Sequence, residues 1–198
     1  MRNILATLVC LSCTLSLSAQ QKTVTPDLSK IGNTKMWTTH NRTASFKDAL
    51  FLDARDGDGL ARLNEFTFEN GTIELDLKGK DEQGKSFVGV AFHGLNDSTY
   101  DAVYFRAFNF KNAERSNHSV QYISQPVFTW NKLRSEHPNQ YENTVKPVPS
   151  PNDWFHATIV VEFPSVKVYV NNSTEPSLAV SQLSTRKKGW LALWVGNG

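Results

Sequence analysis

Phe87-Val88-Gly89-Val90-Ala91-Phe92-His93, the turn Gly94-Leu95-Asn96-Asp97, and Tyr100-Asp101-Ala102-Val103-Tyr104-Phe105-Arg106-Ala107-Phe108 read as two strands separated by a turn. Both are rich in β-branched and aromatic residues and poor in charge on either face, which is the composition of central strands. On the first, Val88, Val90 and Phe92 share one face, and Gly89, Ala91 and His93 share the other. On the second, Ala102, Tyr104, Arg106 and Phe108 oppose Val103, Phe105 and Ala107. If the small faces align, they predict a shallow groove lined by His93, Tyr104 and Arg106. The competing account is a strand packed on both faces with Arg106 paired to a nearby acid, since a buried arginine must be satisfied either way.

The same alternation extends outward in both directions. Upstream, Ala44, Phe46, Asp48, Leu50 and Leu52 alternate up to Asp56-Gly57-Asp58-Gly59, a hairpin-turn signal. Glu65–Phe68, the turn Asn70-Gly71 and the strand Thr72–Lys78 follow, the last with Ile73, Leu75 and Leu77 on one face. Downstream strands are expected at Ser119–Ser124, Trp154–Phe163, Val166–Asn171, Ser177–Leu183 and Trp190–Val195, and only Trp130–His137 has helical character. Many short strands spaced by turns predict an all-β protein, a sandwich or barrel rather than βαβ units. The segment Asn109–Asp153 breaks the rhythm with Pro126, Pro138, Pro147, Pro149 and Pro151, yet carries Phe128, Trp130 and Tyr141. An irregular stretch of that length with aromatics reads as an ordered excursion over one sheet face, and as the first place to look for a site.

The beginning of the chain has the parts of a secretory signal: Arg2, the apolar run Ile4–Leu11, then small residues ending at Ala19. Cleavage there predicts one exported domain over residues 20–198, secreted or periplasmic, without cysteine, because Cys10 and Cys13 leave with the leader. Twenty-one basic and nineteen acidic residues give a net charge of +2. No basic run or amphipathic basic helix is present, so nucleic acid and membrane insertion are not expected.

Trp154-Phe155-His156, Val166-Lys167-Val168-Tyr169-Val170-Asn171, Pro176-Ser177-Leu178 and Gly189-Trp190-Leu191-Ala192-Leu193-Trp194 occur in an order that resembles the laminin-G and concanavalin A-like lectin/glucanase superfamily. Asn70–Asp76 and Gly89–His93 fit the same pattern, so the resemblance covers most of residues 65–196. It implies a two-sheet antiparallel jelly-roll sandwich and a carbohydrate partner. The superfamily holds lectins, glucanases and protein-interaction modules, and fold does not choose among them. Members usually continue past the last motif into one more strand. Here only Gly196-Asn197-Gly198 follow, so either the segment at Met36-Trp37 takes that place or the given chain ends before it.

Three groups of residues are candidates for the site. Glu74 and Asp76 lie two apart on a strand, about 6.8 Å between Cα atoms, near the spacing that glycosidase carboxylates need. The third acid of the family-16 glucanase pattern is missing, and Lys78 stands in that region. Strand alternation alone would also place Glu74, Asp76 and Lys78 on a solvent face. The second group is the groove of His93, Tyr104 and Arg106. The third, from the excursion, is Gln121, Tyr122, Trp130 and Arg134, with Glu142 as the acid to test if hydrolysis occurs. Aromatic rings stack on sugar C–H faces, while arginine and glutamine supply fixed donors.

Asp53, Asp56 and Asp58 suggest calcium by type, but the loop lacks an EF-type ligand at its fifth position, so no cofactor is expected. His40, His93, His118, His137 and His156 show no zinc spacing, and no metal site is expected. A carbohydrate-binding, lectin-like module is therefore expected, with a glycoside hydrolase and a laminin-G-like protein-interaction module as alternatives.

Overall fold

The computed structural model describes residues 22–197, and the expected leader at 1–19 lies outside them. The strands in chain order are β1 (Trp37–His40), β2 (Ala44–Phe46), β3 (Leu50–Leu52), β4 (Asp58–Leu63), β5 (Gly71–Leu77), β6 (Phe87–Asn96) and β7 (Thr99–Arg106). They continue as β8 (Val120–Ser124), β9 (Glu142–Asn143), β10 (Phe155–Glu162), β11 (Ser165–Val170), β12 (Leu178–Ser181) and β13 (Trp190–Gly196), with one α-helix, α1 (Trp130–Glu136). A seven-stranded antiparallel sheet has the order β1-β4-β13-β6-β7-β8-β9, and a four-stranded one the order β12-β11-β10-β5. The expected two sheets become three, because β2 and β3 form a separate ribbon.

The main core lies between the two large sheets. Along β10, Phe155, Ala157, Ile159 and Val161 are buried and alternate with less buried neighbours; on β11, Val166, Val168 and Val170 do the same. They meet Val90 and Phe92 of β6, Val103 and Phe105 of β7, and Val120 and Tyr122 of β8. Each such side chain contributes about 1.5–3 kcal/mol of burial. The pair that opens the sequence argument is central, with β6 in the middle of the seven-stranded sheet.

Two local expectations are corrected. Glu65–Phe68 is not a strand: Glu65 has φ +55°, and only Phe68 bridges, to Gly189. Asp56–Gly59 does not close a hairpin between its neighbours, because β3 pairs with β2 while β4 pairs with β1 and β13. Met36-Trp37 leads into β1, an edge strand beside β4.

The seven-stranded sheet is strongly twisted and curled. By register, Asp58 belongs to the row Asp58, Gly196, Phe87, Arg106, whereas Tyr100 lies six positions before Arg106 on β7. In a flat sheet that offset is about 20 Å, yet the Tyr100 hydroxyl donates to Asp58 Oδ2 at 2.5 Å. Accumulated strand twist and the register break between Phe92 and Asn96 bring these two distant positions of the outer face together.

Candidate functional site

The outer face of the seven-stranded sheet is organised by one lateral row. Register places Leu60, Trp194, Gly89, Tyr104, Gln121 and Glu142 side by side across six strands. Gly89 has no side chain, so the Trp194 and Tyr104 rings approach across it, with centroids 4.7 Å apart. A Cβ at Gly89 would stand 2.1 Å from the Val103 carbonyl oxygen, which excludes any other residue without backbone movement.

Beyond Tyr104 the row becomes polar. The Tyr104 hydroxyl donates to Gln121 Oε1 at 3.0 Å, and Arg106 donates to the Tyr104 oxygen at 2.7 Å and to Gln121 Oε1. The Arg106 guanidinium lies over the Tyr104 and Phe87 rings, at 4.9 and 5.7 Å. Glu142 is the hub: its side chain is 3% exposed and accepts from Arg134 Nε and Nη2 at 2.9 and 2.6 Å. Arg106 Nη1 is 3.6 Å from the same carboxylate, and His118 Nδ1 is 2.9 Å away but off the hydrogen-bond line. Gln121 Nε2 is buried without a partner among the described residues.

Burial and charge act in opposite directions here. Burial pulls the Glu142 carboxyl upward, but the Arg134 hydrogen bonds and charge, with His118 and Arg106, outweigh it and hold the group below its ordinary value. Burial lowers the Arg106 guanidinium. The hydrogen bond to Glu142 raises that of Arg134. The Tyr104 phenol, sealed from water, is pushed up to about 12.

α1 turns part of this network toward solvent. Trp130 and Arg134 are four apart and share a helix face. The guanidinium sits 5.1 Å from the indole centroid. Leu133 on the adjacent face is buried against the sheet. Trp130 remains 49% exposed and the Arg134 side chain 36%. An exposed indole thus stands beside a guanidinium whose position is fixed from below.

The expected open groove is not there. Leu60, Ala91, Tyr100, Ala102, Tyr104, Ile123, Leu133, Ala192 and Trp194 form a second buried cluster on this face. The central strands are therefore packed on both sides, and Arg106 has the acid neighbour that such packing requires. Of the residues expected to touch ligand, only Trp130 and Arg134 reach solvent substantially. Tyr104 and Arg106 of one expected group and Gln121 of another come together, as buried support. His93 and Tyr122 are misplaced. His93 has φ +51°, which breaks the alternation and turns its ring inward, 2.6 Å from the Glu69 carbonyl oxygen and 3.0 Å from Gln182 Nε2. Tyr122 faces the main core and donates to Asp101 at 2.7 Å, since neighbouring strand residues cannot share a face with Gln121.

Glu74 and Asp76 lie on the outward face of the four-stranded sheet, exposed, with Asp76 2.9 Å from His156 Nδ1. Glu142 and His93 have no partner in common. The three aspartates weighed for calcium diverge: Asp53 accepts from Thr43 N and Arg55, Asp58 accepts from Tyr100, and Asp56 offers its carbonyl to Asn41. His118 was missed as a partner of the network. Its only sequence signal was its position just before β8.

No protein-family model and no curated protein sequence matches the chain. Solved structures do. The carbohydrate-binding module CBM66 of Bacillus subtilis is 18% identical, with 83% of this chain and 90% of that one covered and a TM-score of 0.58. A Bacillus subtilis protein of unknown function with a galectin-like fold is 16% identical, covering 85% and 86%, at 0.56. The exoplasmic/lumenal domain of VIP36, in a Ca2+/Man3GlcNAc-bound form, is 9% identical, covering 82% and 77%, at 0.54. The chain is thus an antiparallel β-sandwich. Its fold is similar to theirs over most of each chain, in line with the resemblance carried by its sequence motifs.

Proposed function

We propose that residues 20–198 form an exported, non-catalytic carbohydrate-binding module of jelly-roll type that takes glycan on the outer side of its larger sheet. The observation that carries this is the exposed Trp130 ring beside Arg134, which is itself clamped by the buried Glu142. A sugar ring stacked on the indole meets donors already fixed in place, so little side-chain entropy is lost on binding. The lectin-type fold and the carbohydrate-binding module among its structural neighbours agree with this reading. Among the described residues no helix is long and apolar enough to cross a membrane.

Hydrolysis is less well supported. Glu142 is sealed and held ionised by its cations, so it has no proton to donate to a leaving group. Glu74 and Asp76 occupy the opposite side of the sandwich.

A glycan array with wild type, Trp130→Ala and Arg134→Ala tests the proposal. Truncating an aromatic anchor costs about 2 kcal/mol or more, so Kd should rise roughly thirtyfold in Trp130→Ala at an unchanged melting temperature. Wild-type binding retained in both variants overturns the site. An array without any bound glycan overturns the function.

A further inference from the structure

The curl of the large sheet creates a second feature, a cleft that reaches the turn after β8. Its floor is Asp58 on β4, Tyr100 on β7 and Gln125 after β8; its rim is His40 at the end of β1, with Asp97 and Ser98 from the β6–β7 turn. The cavity is open and holds about 470 Å3, within the roughly 300–1,000 Å3 usual for small-molecule sites.

The floor is ordered by a relay. Trp194 Nε1 donates to the Tyr100 oxygen at 3.2 Å, and Tyr100 donates to Asp58 Oδ2 at 2.5 Å. Gln125 Nε2 approaches the same oxygen at 3.4 Å. Both hydrogen bonds fall on Oδ2, so Oδ1 keeps its acceptor capacity. Asn41 fixes the local backbone by donating to the Asp56 and Asp58 carbonyls, at 2.9 and 3.0 Å. Across the rim, His40 Nδ1 stands 3.2 Å from Asp97 Oδ2.

The chemistry of this lining is one-sided. It holds two carboxylates and no lysine or arginine. An anionic group entering it would meet like charge, whereas hydroxyl donors would meet a carboxylate already in position. We infer that this cleft binds the hydroxyl-bearing end of a neutral sugar and rejects uronates, which rests on the carbohydrate reading above and adds a site and a ligand class to it. The cleft lining includes neither Trp130 nor Arg134, so variants can address the two features one at a time.

The test is a titration of the intact protein, followed by NMR, with glucose, mannose, galactose and fructose, and with glucuronate and galacturonate. Two variants are compared. Asp58→Asn removes the charge, and Ser98→Trp fills the cleft from its exposed rim while leaving the Tyr100–Asp58 bond in place. Loss of hydrogen bonds to a charged group predicts a Kd about tenfold or more higher in both variants for the neutral sugar that binds. Uronates should not bind. Unchanged affinity in Ser98→Trp, or equal affinity for a neutral sugar and its uronate, overturns the inference. If Ser98→Trp binds as wild type while Trp130→Ala loses binding, only the cleft fails. If the wild type binds neither these sugars nor any arrayed glycan, the wider reading fails with it.

Discussion

Replacing Glu142 by glutamine keeps the side chain's shape and removes its charge. The Arg106 side chain, 6% exposed, then has no carboxylate beside it, and Arg134 loses a bidentate partner. Breaking a buried pair from one side costs about 3–5 kcal/mol. Arg134 is 36% exposed and regains water, so the expected loss is at the lower end, about 3 kcal/mol. For a domain of this size that is a fall in Tm of roughly 6–12 °C. The pH dependence has a definite sign. Because folding lowers the Glu142 pKa, its stabilisation is fully present above the ordinary value of 4.5 and is lost as pH falls through the folded value. The deficit of Glu142→Gln should therefore be full at pH 7 and narrow in acid for as long as wild type stays folded. Thermal melts of both proteins from pH 7 downward check this. A variant within about 2 °C of wild type at pH 7, or a deficit that stays constant into acid, would refute the hub role.

Further outcomes are expected elsewhere. Gly89→Ala should destabilise by about 1–3 kcal/mol in urea titrations, because its Cβ would meet the β7 backbone. Tyr122→Phe removes the partner of Asp101 Oδ1 and of the Leu183 N–H, while Asp101 Oδ2 keeps Gln182, Ser184 and Arg186; it should cost about 1–3 kcal/mol in the same titrations. Arg106→Ala should lower Tm rather than act as a clean binding variant, since Arg106 supports the site from beneath. Glu74→Gln, on an exposed strand face, should change stability by less than about 0.5 kcal/mol and leave glycan binding as in wild type.

Much of this architecture was legible from residue order. Alternation in Phe87–His93, Trp154–Phe163 and Val166–Asn171 separates a core face from its opposite, because strand side chains repeat every two residues. The same rule already divided Gln121 from Tyr122, and the expectation that both meet a ligand overlooked it. The short helix at Trp130 was visible as well. Long-range pairing decided the rest. The left-handed backbone at His93 turned that ring inward, and Leu133 with the Trp194 and Tyr104 rings filled the face that looked like a groove. Glu142 became the counter-charge of Arg106 only because β9 lies against β8. Asp58 reached Tyr100 only because the whole sheet curls. Local periodicity tells which side of a strand is apolar. Register, twist and the segment lying across a face arise from contacts between distant parts of the chain, and these decide whether that side meets water, a neighbour or a ligand.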